Sequence, residues 1–150
     1  MILSGETIRA IRPVEPFCER GVFCGMSYGL GPSGYDIRID QDVWVWPGRF
    51  VLASSMEHFD MPCDVLGRVC DKSTWIRMGI AVHNTVIEPG WKGFLTLELK
   101  VVGLRCGRIR RGSPIAQILF EQVDRKTEGY HGKYQNQPSG AQRAIFEGGE

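Results

Sequence analysis

The sequence predicts a mostly β domain with one short helix at its N-terminus, and three observations carry that prediction. Glycine and proline number 19 and 8 in 150 residues and cut the chain into short pieces, at spacings typical of β sandwiches and barrels. Within those pieces apolar residues recur with a period of two, the repeat of a strand with one buried face. Helical spacing is confined to LSGETIRAI, where Ser4 stands in N-cap position and Ile8 and Ile11 share a face.

The expected strands are YDIRI (35–39), VWVW (43–46), RFVLAS (49–54), VLGRVC (65–70), GIAVH (79–83), FLTLELKVV (94–102) and PIAQILFEQV (114–123). Residues 1–150 fit one domain, long enough to bury roughly 70% of the surface of the unfolded chain. The segment 124–150 is polar, glycine-rich and nearly strandless. It is expected to be a frayed tail or an arm that orders on a ligand or a neighbour.

GLGPSG, beginning at Gly29, matches the G-x-G-x-x-G string of dinucleotide-binding loops. That loop needs a helix after the glycines, whose N-terminus meets the pyrophosphate. Here Tyr35, Ile37 and Ile39 alternate with Asp36, Arg38 and Asp40, which is a strand period, and Pro32 removes an N–H from the loop. The segment therefore reads as a turn feeding a strand.

Eighteen basic residues against seventeen acidic ones give a net charge of +1, which argues against a nucleic-acid or anionic-membrane footprint. No basic leader precedes an apolar run, and no stretch approaches a transmembrane length, so a soluble, cytoplasmic protein is expected. Cys18, Cys24, Cys63, Cys70 and Cys106 are an odd set without C-x-x-C pairs and are expected to be reduced thiols.

Zinc-dependent nucleoside deaminases carry H-x-E followed by P-C-x-x-C; the histidines here lie in HFD, HNT and HGK, and the Pro-Cys continues as PCDV. Neither a phosphate loop nor a G-x-S-x-G elbow is written in the chain. Three other clusters carry chemistry. GRVCDKSTWIRMG, from Gly67, gathers Arg68, Lys72, Ser73, Thr74 and Arg77; cations and hydroxyls at a bend suit phosphate oxygens, and equally suit a solvated loop with capping hydroxyls. In TVIEPGWKGFLTLELK, from Thr85, Glu98 shares a polar strand face with Thr96 and Lys100. Periodicity alone makes Glu98 solvent-facing; lining a pocket instead, its carboxyl would rise toward neutrality and accept and return protons. GYHGKYQNQPSG, from Gly129, interleaves tyrosine, lysine and glutamine among glycines.

Taken in order, these segments resemble the dCTP deaminase branch of the trimeric dUTPase superfamily. GPSGYDIRI is similar to that branch's G-P-S-S-Y-D-[VI]-R-[VL], FVLAS with Glu57 and Pro62 to its F-x-L-A-x-T-x-E…P, and DKSTWIR to its G-[RK]-S-S-L-A-R segment. PGWKGFLTLEL is similar to P-G-[FW]-x-G-x-[IL]-T-L-E-L, while IAQILF and YHGKYQNQ match its last strand and G-K-Y-Q tail.

The resemblance implies a distorted β jelly roll assembled as a homotrimer, with sites for a deoxycytidine or deoxyuridine nucleotide at subunit boundaries. It implies Glu98 as general base, with Ser73 and Arg77 completing the catalytic set. Lys72, Thr74, Glu88, Gln117, Tyr130, Lys133 and Gln137 would bind substrate, and magnesium would ride on the phosphates with no metal held by protein side chains. Deamination without zinc is then expected, because one carboxylate poised near neutral pH can deprotonate water and return the proton to the base and to departing ammonia.

Three departures keep other functions open. NTVIE, between His83 and Pro89, is two residues shorter than the deaminase stretch and closer to the dUTPase pattern; Glu88 stands for aspartate; Asp71 and Trp75 stand for glycine and leucine. Alternatives are dUTP pyrophosphatase activity, alone or following deamination to give dUMP, and a nucleotide-binding regulator without turnover.

Overall fold

The computed structural model describes residues 1–148, so the last two residues of the expected tail, Gly149 and Glu150, lie outside the described residues. Helix α1 (Gly5–Ile11) forms where the N-cap predicts it: the Ser4 hydroxyl accepts the Thr7 N–H, and Ile8 is fully buried. The helix ends at Arg12, whose left-handed backbone (φ 43°) lets its N–H return to the Ile8 carbonyl at 2.9 Å.

Twelve strands follow: β1 (Val14–Glu15), β2 (Gly21–Phe23), β3 (Met26–Leu30), β4 (Tyr35–Arg38), β5 (Val43–Val45), β6 (Phe50–Asp60), β7 (Val65–Asp71), β8 (Ile80–Val82), β9 (Val86–Ile87), β10 (Lys92–Val101), β11 (Gly107–Ile109) and β12 (Pro114–Gln122). A one-turn helix, α2 (Ser73–Ile76), interrupts them after β7, where the sequence predicted only a bend. A six-stranded sheet runs β2-β3-β4-β12-β7-β9, a four-stranded sheet β1-β6-β10-β8, and β5 pairs with β11. Tyr35, Ile37, Val69, Ile118 and Phe120 from the larger sheet share one core with Phe59, Val82, Leu97 and Leu99 from the smaller. This is the jelly-roll-like, mostly β fold expected, with its short N-terminal helix.

The GLGPSG segment is a turn in that fold. Gly29 has φ 93° and sits so close to the Cys18 carbonyl that a Cβ would come within 2.6 Å of its oxygen, and the Gly31 N–H closes the turn onto the Gly34 carbonyl at 2.8 Å.

The largest difference from the predicted strands is β6, which runs six residues past Ser54. Ser54, Ser55, Glu57 and His58 hide the strand in the sequence, yet Ser54, Ser55 and Glu57 are fully buried. Each burial has a partner. β10 carries a register shift between Phe94 and Thr96; there the Leu95 N–H donates to the Ser55 hydroxyl at 2.9 Å, and that hydroxyl donates to the Glu57 carbonyl at 2.7 Å. The Glu57 carboxylate accepts the Arg38 side chain at 2.8 Å and the Arg38 backbone N–H at 2.9 Å. Burial pushes the Glu57 carboxyl up, against those Arg38 contacts.

Candidate active site

The period-two alternation of β10 turns Leu95, Leu97, Leu99 and Val101 into the core, leaving Thr96 and Glu98 on the opposite face. That face opens into a cleft of about 500 Å³, bounded by Phe50 and Leu52 of β6, by Val86 to Glu88, by Trp91, and by the tail. The lining is mainly apolar and aromatic, a surface suited to a flat ring and to the displacement of water.

Glu98 is half-buried in this cleft, and its Oε2 is buried with no hydrogen-bond partner. Burial raises its carboxyl above the usual range; its own backbone N–H and the nearby His83 charge pull the other way. His83 follows β8, and its N–H donates to the Glu98 carbonyl at 2.9 Å, so the two stand opposite one another across the strand pair. The solvent-facing alternative for Glu98 therefore gives way to the pocket-lining one. A carboxyl whose proton affinity is raised by burial is suited to accepting and returning a proton.

The tail lies along its own chain beside this face. The Tyr130 N–H donates to the Pro89 carbonyl at 2.8 Å, and the Gln135 amide bridges the Gly90 and Tyr130 carbonyls. The Trp91 indole donates to the Tyr134 carbonyl at 2.6 Å, and the Phe94 N–H to that of Gln137 at 2.9 Å. Gly93 permits the approach: its φ is 140°, and a Cβ there would lie 2.6 Å from the Gln137 nitrogen. The Gln137 side chain and the Gln142 backbone N–H both donate to the Thr96 hydroxyl, one pleat from Glu98.

A family model described as dCTP deaminase-like matches residues 32–123. A dCTP deaminase of Campylobacter fetus subsp. fetus is 34% identical over 158 aligned positions, covering 83% of this chain and 85% of that protein. The chain belongs to the dCTP deaminase-like family. A second relative, the dCTP deaminase of Campylobacter hominis, is 33% identical, with 90% of this chain and 89% of the relative covered. Among solved structures, the native EIAV dUTPase superposes with a TM-score of 0.56 at 17% identity over 68% of this chain and 85% of its own. The 2′-deoxycytidine 5′-triphosphate deaminase from Agrobacterium tumefaciens gives 0.59 at 20% identity, covering 81% of this chain and 47% of its own. Both structural likenesses concern the fold.

In this dCTP deaminase-like chain the expected site residues separate into two groups. Glu88, Glu98, Tyr130 and Gln137 line the cleft. Ser73, Thr74 and Arg77 do not; they are exposed on and just after α2. Lys72, beside them, is buried and its ammonium donates to the Asp36 carboxylate at 2.6 Å. Gln117 is half-buried on β12, in register with Asp36 on one side and Cys70 on the other, and so belongs with the Lys72 group. Lys133 is exposed, 5.5 Å from the centre of the Tyr134 ring and 3.9 Å from the Glu147 carboxylate.

Two of the departures noted in the sequence are structural. Asp71 accepts the Val82 N–H at 2.7 Å, tying β7 to β8, and Trp75 fills the core while its indole donates to the Pro114 carbonyl at 2.6 Å. The sequence also left unassigned Tyr134, Gln142 and Arg143, which line the cleft. Period two placed Thr96 beside Glu98, but no local pattern marks residues at 142–143 that return to the cleft from 45 positions away.

Proposed function

We propose that this chain is a hydrolytic dCTP deaminase that acts as a cytoplasmic homotrimer, converting dCTP and water into dUTP and ammonia. The observation that carries the proposal is the Glu98 carboxyl, which belongs to the wall of a largely apolar cleft, is raised by burial and keeps one buried oxygen without a partner. Ionised Glu98 takes a proton from water as the hydroxyl oxygen bonds to C4 of the cytosine, and delivers that proton to N3. The tetrahedral carbon then expels the amino group, which leaves as ammonia with the second proton of the attacking water, relayed through the same carboxyl; the C4 carbonyl of dUTP remains. General acid–base help of this kind contributes about 10²–10⁴-fold in rate.

Ser73 and Arg77 orient the water and the carboxyl in this proposal, and they reach the cleft from a neighbouring copy, since within one chain they lie outside it. Closed rings built from one repeated interface provide such an arrangement. Lys72, Thr74 and Gln117 of that copy face the phosphates, and Tyr130, Lys133 and Gln137 close from the tail. Magnesium is assigned in this proposal to the triphosphate itself. Among the described residues, no helix is long and apolar enough to cross a membrane.

The test is incubation with dCTP, dCMP and dUTP separately, following ammonia and pyrophosphate together. Ammonia from dCTP with dUTP accumulating is expected; no ammonia from any cytosine nucleotide would overturn the proposal. A second reading, hydrolysis of dUTP to dUMP, is favoured by Glu88, which lines the same cleft at the end of the short 84–88 segment. Pyrophosphate released from dUTP would establish it, and dUTP surviving prolonged incubation would remove it.

A further inference from the structure

We propose that Arg143 is a nucleotide-binding residue, holding the substrate's phosphates from the tail side of the cleft. The proposal rests on the dCTP-processing role above and adds a residue to it.

Among the described residues, Arg143 is the one cationic side chain that lines the cleft, where the other charged groups are the carboxylates Glu88 and Glu98. A triphosphate entering a cleft with two carboxylates is repelled unless cations face it. Arg143 is free to do so, because it forms no ion pair among the described residues even though both carboxylates share its cleft.

Its backbone is fixed on either side. The Gln142 N–H donates to the Thr96 hydroxyl at 3.0 Å, and the Ile145 N–H donates to the Tyr134 hydroxyl at 3.0 Å. Two residues, Arg143 and Ala144, span the interval between these anchors, and both line the cleft. A guanidinium presented from a tethered segment suits bidentate contact with phosphate oxygens.

The two ends of the cleft are also distinguishable. No Arg143 nitrogen pairs with a Glu98 carboxylate oxygen within 4.0 Å, so the guanidinium is not bonded to that carboxyl. With the reacting base at Glu98, the phosphates extend away from it, toward the tail. Thr96 and Tyr134 are then positioning residues that act through Arg143.

Binding to the intact protein tests this, with calorimetry for dCTP and ligand-observed NMR for 2′-deoxycytidine, on wild type, Arg143→Gln and Arg143→Lys. Arg143→Gln is expected to weaken dCTP at least tenfold and to change deoxycytidine less than twofold. Arg143→Lys is expected to restore part of the loss, because it keeps the charge but not the planar fork. Thermal unfolding of both variants should match wild type, as Arg143 is exposed. An unchanged dCTP affinity in Arg143→Gln, or equal weakening of both ligands, would overturn the phosphate assignment. Wild-type protein that binds dCTP with this pattern yet releases no ammonia would sink the deaminase reading and leave the Arg143 assignment standing; wild type that binds no dCTP would sink both.

Discussion

The cleft under the tail and the surface around α2 both hold charged side chains at low exposure, and they treat them differently. Around α2 the buried charge is matched: Lys72 is bonded to Asp36, and the half-buried Asp71 accepts a backbone N–H. In the cleft the Glu98 carboxyl keeps one oxygen unpartnered where burial raises its proton affinity. Unmatched buried polar groups are costly, and they concentrate where a protein has chemistry to perform. The α2 surface is complete as structure and presents Ser73, Thr74 and Arg77 outward, toward whatever docks on it. The cleft faces inward and lacks those residues. The residues marked by the family resemblance divide between two places in one chain, and in the proposed homotrimer a second copy would bring them together.

The largest expected effect breaks the chemical half of that comparison. Glu98→Gln keeps the shape and removes the proton carrier, so ammonia release from dCTP should fall about 10²–10⁴-fold with dCTP affinity retained. Full activity in that variant would remove Glu98 from the chemistry.

The matched charges make a contrasting prediction. Arg38→Met removes the cation from the fully buried Glu57 carboxylate, leaving it only the backbone N–H of position 38, and should cost about 3–5 kcal/mol in urea unfolding. A cost below about 1 kcal/mol, the range of an exposed pair, would show that this charge is not held as described.

A smaller effect separates the tail from the β framework. Gly93→Ala places a methyl against the Gln137 backbone at a φ that disfavours any side chain, a strain of about 1–3 kcal/mol. Its relief is to unseat the tail, so limited proteolysis after residue 124 should accelerate. Unchanged cleavage would mean that the tail is not held at Gly93.

The smallest expected effect is in pH dependence. Because the folded-state carboxyl of Glu98 is raised, its stabilising contribution is present at low pH, where it is protonated in both states. That contribution is lost as pH rises through the raised value. Glu98→Gln should therefore match wild type in acid and gain stability over it as pH rises past the ordinary glutamate range. Activity runs the other way: a general base must be ionised, so the acidic limb of kcat should lie above the ordinary glutamate range. His83→Gln, which removes a charge that favours the ionised form, should move that limb further up. A limb unmoved by His83→Gln would show that the two groups do not sense each other.

Much of this was legible in the sequence, for identifiable reasons. The N-cap at Ser4 and period two in β4, β10 and β12 are local signals, and the structure follows them. β6 was half hidden because Ser54, Ser55 and Glu57 read as polar surface, and only the distant Leu95 and Arg38 make their burial tolerable. β1, β9 and β11, of two or three residues, are too short for any period to appear. Glu98 stood out through its strand face and family motif, whereas its exposure depended on a tail that no strand pattern places. Arg143 carries no local signal at all, since its position follows from hydrogen bonds to Thr96 and Tyr134.

Subunit complementation tests the divided site most directly. Glu98→Gln retains the α2 group, and Arg77→Ala retains the cleft; each alone should be inactive in ammonia release from dCTP. Unfolded together in equal amounts and refolded, they should recover about a quarter of wild-type activity, the share of boundaries in a randomly mixed ring that join an intact cleft to an intact neighbour. A mixture as inactive as its two components would contradict a site shared between copies.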